Sequence, residues 1–349
     1  MSSKQSNSSK LGKSTSNNPL LPDKLQEAFN GFQLTQAIYV TAKLGLAEHL
    51  HNNAKSCEEL ATDMGANANV LQHFMQLLLT LGIVTKDKDS NYQLTQLGSM
   101  LCSDAPNSVL GSVLSMAETY QAWGNLLYSV QTGKAAFDHT FHKNFYEYLG
   151  QNAEANANFN RWMEETTRDW LLPALETYNF SKFTHFVDVG GSTGVLTTAI
   201  LTKYPNLHAT IFDQTHVVND AEKILKSAGV SDRCQIIGGD FFESIPSEGD
   251  LYIISRVLLN WDDDHALKIL KNCHTAMGRS AKLLIMDFVL PNQDMTASDL
   301  LSSLHLLVLG GRLLRTEDEY YALLSKAGFQ SPRLIQTGDI ISFIEAVPK

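Results

Sequence analysis

The run Phe186-Val187-Asp188-Val189-Gly190-Gly191-Ser192-Thr193-Gly194 limits what this chain can fold into more than any other stretch. An apolar run ends in an acid and a glycine-rich turn, and a helical pattern follows. The next apolar run, His208 to Phe212, ends at Asp213. That order predicts a βαβ unit holding a nucleoside across the carboxyl ends of its strands. The glycines let backbone approach a ligand, and the acid on the second strand is placed to grip ribose hydroxyls.

The sequence beyond it keeps the same alternation. Strands are expected at 185–189, 208–212, 234–237, 250–255, 281–288, 332–336 and 340–346, with helices between them. One helix opens at Asp262 and another at the capping box Thr316-Glu317-Asp318-Glu319. Only Thr337-Gly338-Asp339 separates the last two strands, so they form an antiparallel hairpin at the end of a mostly parallel sheet. A dinucleotide fold closes with parallel strands. A reversed last strand points instead to the S-adenosylmethionine-binding variant.

At 349 residues the chain suits two domains and a tail. Residues 1–20 are Ser, Asn and Lys with little to bury, and they lack the apolar core of a secretion signal, so a disordered tail is expected. Within 21–105, a helix from Leu25 to Leu50 carries apolar positions at Phe29, Phe32, Ala37, Val40 and Leu44, with Gly45 as a break. Ser56-Cys57-Glu58-Glu59 opens a short helix, a second runs from Asn69 to Leu81, and Gly82 to Thr95 reads as a small hairpin. This is a winged-helix pattern. DNA binding is disfavoured by charge: Leu21 to Leu110 holds five lysines, no arginine and nine carboxylates, and the whole chain carries a net charge of -10. The second helix reads as a surface to be buried against another, which suggests dimerisation.

Residues 106–180 read as helical throughout and are rich in aromatics, including Trp123 and Phe159. Core packing explains most of them; a linker that also roofs an aromatic-binding pocket is the alternative. No apolar run reaches membrane-spanning length. The four cysteines show neither metal spacing nor a CxxC pair, as suits reduced thiols in the cytoplasm.

Several segments in order resemble the class I S-adenosylmethionine-dependent small-molecule methyltransferases that include plant caffeate and hydroxyindole O-methyltransferases and bacterial relatives. They are Tyr39 to Leu50, Glu58-Glu59-Leu60-Ala61, Leu94 to Gly98, Asp188 to Gly194, Gly239-Asp240-Phe241-Phe242, Asn260-Trp261-Asp262-Asp263, Gly310-Gly311-Arg312 and Ala327-Gly328-Phe329. The resemblance covers residues 25 to 348. It implies a homodimer joined through the winged-helix domain and a Rossmann-like, seven-stranded α/β catalytic domain over 181–349. It also implies that Gly190, Gly191 and Ser192 pass under the methionine moiety, Asp213 binds the ribose, and Asp240 with Phe241 meets the adenine. Ser255 and Arg256 stand where the family often has a basic residue near the cofactor. Ser192 replaces a common glycine, and its small size is expected to fit the turn.

The family pattern places a histidine base before an Asp-Trp or Asn-Trp pair. Here the run is Arg256-Val257-Leu258-Leu259-Asn260-Trp261, so Leu259 occupies the histidine position. Asp287 stands where Glu is usual, and Leu313 where a Glu is expected. The Leu-Leu-Asn-Trp run is similar to a bacterial branch acting on aromatic polyketides, which implies methyl transfer by proximity and orientation without a side-chain base. The resemblance puts Asn260, Asp287 and His305 beside the reacting atoms, and Leu259, Trp261, Trp123, Phe159 and Met163 in the acceptor pocket. For His305, a helix histidine satisfied by its neighbours is the competing reading. No metal is expected; the Asp262-Asp263-Asp264 triplet suits a helix N-terminus by the dipole alone, and His265 reads as a solvated residue of its first turn. Transfer to carbon or nitrogen, a cofactor-retaining enzyme that does not methylate, and a winged-helix regulator remain the alternatives.

Overall fold

The computed structural model describes residues 22–218, 221–338 and 340–349, with side chains from residue 25 onward. The tail expected at 1–20 lies outside these residues, as does Asp339 of the expected terminal turn.

The N-terminal region opens with the helix Pro22–Lys43 and a break at Gly45 (φ +64°), after which Leu46–Leu50 continues as a separate helix. Cys57–Asp63 carries the reciprocal Ser56–Glu59 capping box, and Ala68–Thr80 is capped by the Asn67 side chain. Strands β1 (Val84–Lys86) and β2 (Tyr92–Leu94) pair antiparallel. Leu71, Met75 and Leu78 recur at helical spacing and face a core with Leu46, Leu60 and Tyr92. Of the expected apolar face on the first helix, Ala37 is buried, whereas Phe29, Phe32 and Val40 remain exposed in the single chain. Val70 and Leu77 of Ala68–Thr80 are exposed as well.

The linker is a series of short helices from Leu110 to Thr166. Phe137, fully buried, sits at its centre, with Phe141, Phe145 and Tyr148 at 4.5, 5.1 and 5.5 Å between ring centroids. The helix Ala153–Thr166 runs into one π-helical turn, Thr167–Leu171.

The C-terminal region is built on β3 (His185–Val189), β4 (His208–Asp213), β5 (Cys234–Gly238), β6 (Leu251–Ser255), β7 (Lys282–Asp287), β8 (Phe329–Gln336) and β9 (Ser342–Pro348). They form one sheet in the order β5-β4-β3-β6-β7-β9-β8. The first five are parallel; β9 runs antiparallel to both β7 and β8. Side chains alternate between the faces. Val187, Val189, Tyr252 and Ile254 meet the helices Asp263–Ala276 and Glu317–Lys326, while Phe186, Ile253 and Met286 meet Val195–Lys203 and Ala221–Ser227. Strand β8 starts at Phe329, not at 332, because a register shift between Gln330 and Arg333, with Ser331 at φ +51°, accommodates Pro332 as a bulge. The chain steps outward from β3 to β4 and β5, then crosses back to β6 on the other side of β3. This creates a crevice at the carboxyl ends of β3 and β6, where open α/β sheets bind ligands.

Candidate functional site

The turn after β3 is closed by its own neighbourhood. Gly190 N donates to Phe212 O at 2.8 Å, joining the turn to the end of β4. Gly190 and Gly194 lie at φ +77° and +79°. A Cβ on Gly190 would stand 2.6 Å from Val257 Cγ2, and one on Gly194 2.5 Å from Ile211 Cδ1. Glycine at these two positions is therefore required by the packing of the protein itself, before any ligand approaches. Ser192 is left-handed at φ +52°, so this position asks for an unusual backbone, not merely a small side chain. Ser192 N donates to Asp213 Oδ2 at 2.9 Å, and Gln214 N donates to Asp213 Oδ1 at 2.7 Å. The carboxylate is thus fixed at the end of β4, facing the turn. Beneath it, Asp188 is buried and accepts from Thr197 Oγ1 at 2.6 Å; burial pushes its carboxyl up to about 6.

Beyond β5, Asp240 Oδ1 accepts from Phe242 N at 2.8 Å, which bends the chain so that Phe241 and Phe242 both pack edge-on against Trp261. At the end of β6, Ser255 Oγ is buried without a hydrogen-bond partner among the described residues. Arg256 follows at φ +53°. Its guanidinium, expected near the cofactor, donates to Thr166 Oγ1 at 3.0 Å and Thr167 Oγ1 at 2.5 Å. Both hydroxyls in turn donate to Met163 O, at 3.0 and 2.7 Å. The π-helical turn places the two threonines side by side for this contact.

The turn carrying Leu259 is one 3-10 turn, Leu258–Asn260. Its supports come from far along the chain. Arg315 is buried and donates to Leu258 O at 2.8 Å, Trp261 O at 2.6 Å and Asp263 Oδ1 at 2.9 Å. Asp287 is fully buried and accepts from Tyr320 OH at 2.8 Å and Phe288 N at 2.9 Å, with the Leu259 backbone as a further partner. Burial pushes Asp287 up to about 6. It therefore lies under the turn instead of bordering an open pocket. Asn260 Nδ2 donates to Arg256 O at 3.0 Å, and Asn260 Oδ1 receives Tyr146 OH at 3.5 Å. Leu313, at the position of the expected acid, is 58% exposed.

The aromatic linker reaches this turn as a chain of rings. Trp123 Nε1 donates to His305 Nδ1 at 3.0 Å. Trp162 meets the His305 ring edge-on at 5.8 Å and Phe159 at 6.0 Å, and Phe159 meets Tyr146 at 6.4 Å. The structure thus brings Trp123, Phe159, His305 and Asn260 along one wall, whereas Trp261 packs apart from it, against Phe241, Phe242 and His265. Met163 is tied by its carbonyl to Thr166 and Thr167 of its own helix. Sequence reasoning missed Arg315 and Tyr146: Arg315 is signalled only as a basic residue after Gly310-Gly311-Arg312, and Tyr146 is one aromatic among many. His265 is exposed and paired with Asp262 at 2.7 Å. Among the described residues no group of three His, Cys, Asp or Glu could hold a metal ion, and no helix is long and apolar enough to cross a membrane.

Residues 123–330 match the family model for an O-methyltransferase domain, and residues 26–104 match that for an O-methyltransferase dimerisation domain. The chain is 37% identical to the phenazine O-methyltransferase PhzM of Lysobacter antibioticus, over 93% of this chain and 95% of that protein. Its fold superimposes with a TM-score of 0.85 on the crystal structure of N,N-8-amino-8-demethyl-D-riboflavin dimethyltransferase from Streptomyces davawensis, at 27% identity over 94% of this chain and 99% of that one. The neocarzinostatin-biosynthesis O-methyltransferase NcsB1, solved with S-adenosylmethionine and 2-hydroxy-5-methyl naphthoic acid, matches with a TM-score of 0.77 at 26% identity, over 90% of this chain and 96% of that one.

Proposed function

This chain belongs to the O-methyltransferase family, and from that premise we propose that it methylates an oxygen of a small fused-ring aromatic metabolite without a histidine base. Leu259 carries the reading: an alkyl side chain stands where the family's base is expected, next to Asn260, which accepts from Tyr146 of the aromatic ring chain. The enzyme depends on S-adenosylmethionine, which when bound supplies a methyl group on a positively charged sulfur.

The residues present fit that cofactor. Asp213 offers a preset carboxylate to ribose hydroxyls, Ser255 holds an unpaired buried hydroxyl at the crevice, and Asp240 with Phe241 stands beyond β5 for the adenine. Gly190, Gly191 and Ser192 form the floor. Arg256 and Asp287 act as positioning residues, Arg256 by fixing the end of β6 to the linker and Asp287 by supporting the Leu259 turn. Asn260 and Trp261 border the reacting oxygen, and Trp123, Phe159 and Met163 orient the acceptor plane.

The magnitudes permit chemistry without a base. A general base contributes on the order of 10²–10⁴-fold, whereas alignment supplies roughly 7–11 kcal/mol. An acceptor whose phenol is acidified by conjugation with a carbonyl gives its proton to water before it binds, and needs no base on the enzyme. Transfer to nitrogen is the second reading, favoured by the same Leu259 because an amine nitrogen attacks through its own lone pair.

The exposed Phe29, Phe32, Val70 and Leu77, lying within the matched dimerisation domain, support a homodimer joined there. The same two helices carry few cations, which supports a protein partner over nucleic acid. Four free thiols suit the cytoplasm.

Incubation with methyl-labelled cofactor and a panel of hydroxylated and aminated naphthalenes and phenazines tests the reading. Label should appear on oxygen with stoichiometric S-adenosylhomocysteine. Conversion of an acceptor with no S-adenosylhomocysteine would sink it. Asp213→Ala should weaken cofactor binding about 10- to 100-fold, as for the loss of hydrogen bonds to a charged group, with the circular dichroism unaltered.

A further inference from the structure

Two irregularities of the backbone meet in one hydrogen-bonded contact. The first is the π-helical turn Thr167–Leu171, a rare form that is frequent at functional sites. The second is Arg256, a non-glycine residue at φ +53°, a region that such residues hold only where their surroundings impose it. The guanidinium of Arg256 joins them through Thr166 and Thr167. From there the path to the acceptor wall is short, because Arg256 O accepts from Asn260 Nδ2 at 3.0 Å.

The residue before these threonines serves a different partner. Glu165 is buried, and its carboxylate accepts from Gly111 N at 2.7 Å, Ser112 N at 2.8 Å and Ser112 Oγ at 2.6 Å. It thereby caps the helix Leu110–Leu114, whose own N-cap residue, Val109, offers no side-chain bond. The two helices meet backbone to backbone: a Cβ on Gly111 would stand 2.6 Å from Trp162 N. Arg168 adds a bond to Ser108 O at 2.7 Å.

By its packing the capped helix belongs to the dimerisation domain. Leu110 and Val113 lie in the same core as Leu71, Met75 and Leu78, and Val109 N donates to Met100 O at 2.8 Å. Residues 108–112 thus form the junction between the two matched domains, past residue 104 and before 123. An apolar pair would hold two helices together without taking a carboxylate out of water. What the carboxylate adds is direction, since two oxygens on two successive N–H groups fix rotation as well as distance.

We propose that Glu165 is a positioning residue for methyl transfer: through Thr166, Thr167 and Arg256 it sets the Asn260 turn against the dimerisation domain. This rests on the methyl-transfer reading above and deepens it, by naming the part of the molecule that controls the same site. The domain junction and the Leu258–Asn260 turn move as one unit. The turn after β3 does not follow, because Asp213 closes it on its own backbone.

The test combines amide hydrogen exchange with steady-state kinetics on the full-length enzyme. Asn260 N and Trp261 N are held by Val257 O and Leu258 O at 3.0 and 3.1 Å, so both amides report on the turn. Glu165→Gln keeps the size of the side chain and leaves one of its donors unmet. It should speed exchange at these two amides about tenfold, while Gly190 and Ser192 stay within about twofold. The paired substitution Thr166→Val with Thr167→Val keeps the shape and removes both hydroxyls. It should lower kcat about 10- to 100-fold, the scale for a misplaced reacting group, with the KM for S-adenosylmethionine within about threefold. Thr166→Ser with Thr167→Ser, which keeps the hydroxyls, should restore kcat to within about threefold of the wild type. Glu165→Gln alone should lower kcat about tenfold, and added to the valine pair it should slow the enzyme no further, because the two act along one path. Exchange raised only over residues 109–115, with kcat unaltered, overturns the proposal; so do losses of kcat that multiply in the combined variant. The valine pair decides the matter without any change at Glu165, since coupling is reciprocal: faster exchange at Gly111 and Ser112 is required, and unaltered exchange there overturns the proposal. Coupled exchange with no label transfer by the wild type would leave the coupling standing and remove the methyl-transfer reading. Label transfer at a rate that none of these variants alters would do the reverse.

Discussion

The turns that follow β3 and β6 sit side by side at the same end of the sheet, yet they are held in different ways. The first is closed locally: Asp213, 21 residues from Ser192, fixes its carboxylate on the backbone of the turn. The second is held from a distance. Arg315 reaches Leu258 across 57 residues, and the Trp123–His305 contact on the adjoining wall spans 182. A locally closed turn can keep one ligand across many relatives. A turn braced by remote groups can be retuned by changing any brace, and that suits the side of the site where acceptors differ.

The largest effect should come from removing the main brace. Arg315→Ala leaves the Leu258 and Trp261 carbonyls without their donor, and at about 1–3 kcal/mol for each such group the fold should lose roughly 3 kcal/mol. Urea unfolding would measure the loss, and S-adenosylmethionine titration of the remaining folded enzyme should show the β3 turn unchanged. A variant with wild-type stability would break the contrast between the two turns.

A smaller effect is expected from the group beneath the local turn. Asp188 is pushed up to about 6 from an ordinary value of about 3.9. Its folded form therefore holds a proton that the unfolded chain releases. This favours the fold below about pH 4, and the contribution is lost as pH rises through about 6. Asp188→Asn keeps an acceptor for Thr197 but does not titrate. Its stability should fall less steeply between pH 4 and 7 than that of the wild type, by about 2–3 kcal/mol. Parallel curves for the two proteins would show that Asp188 is not perturbed.

The smallest effect concerns the absent base. Leu259→His should change kcat by less than about threefold, because an imidazole there lacks the acid that Leu313 replaces. A gain on the order of 10²-fold, the lower range for a general base, would show that the rest of the site is still arranged for one.

Much of the catalytic fold was legible because its signals are local. Alternating apolar runs marked the strands, Asp262 and Thr316 marked helix starts through capping chemistry, and the three-residue gap before the last strand marked the reversed hairpin. Asp213 was legible for the same reason, as an acid at a strand end. Arg315 was not, since nothing in its neighbours says that its side chain enters a turn 57 residues away. Arg256 was read by position alone, and its direction is set by Thr166 and Thr167, which no motif links to it. The tautomer of His305 was not legible either, since only the contact with Trp123, 182 residues away, fixes it.

The bare Cα of Gly190 has a consequence for how variants of this enzyme behave. The space a side chain would take there is already filled by Val257, so the turn after β3 and the start of the Leu258–Asn260 turn interlock like adjacent teeth. Enlarging residue 190 would push Val257, and through it Leu259, Asn260 and Trp261. Such a variant would present in an assay as an enzyme that has changed its mind about acceptors, although the altered residue lies in the turn proposed for the cofactor.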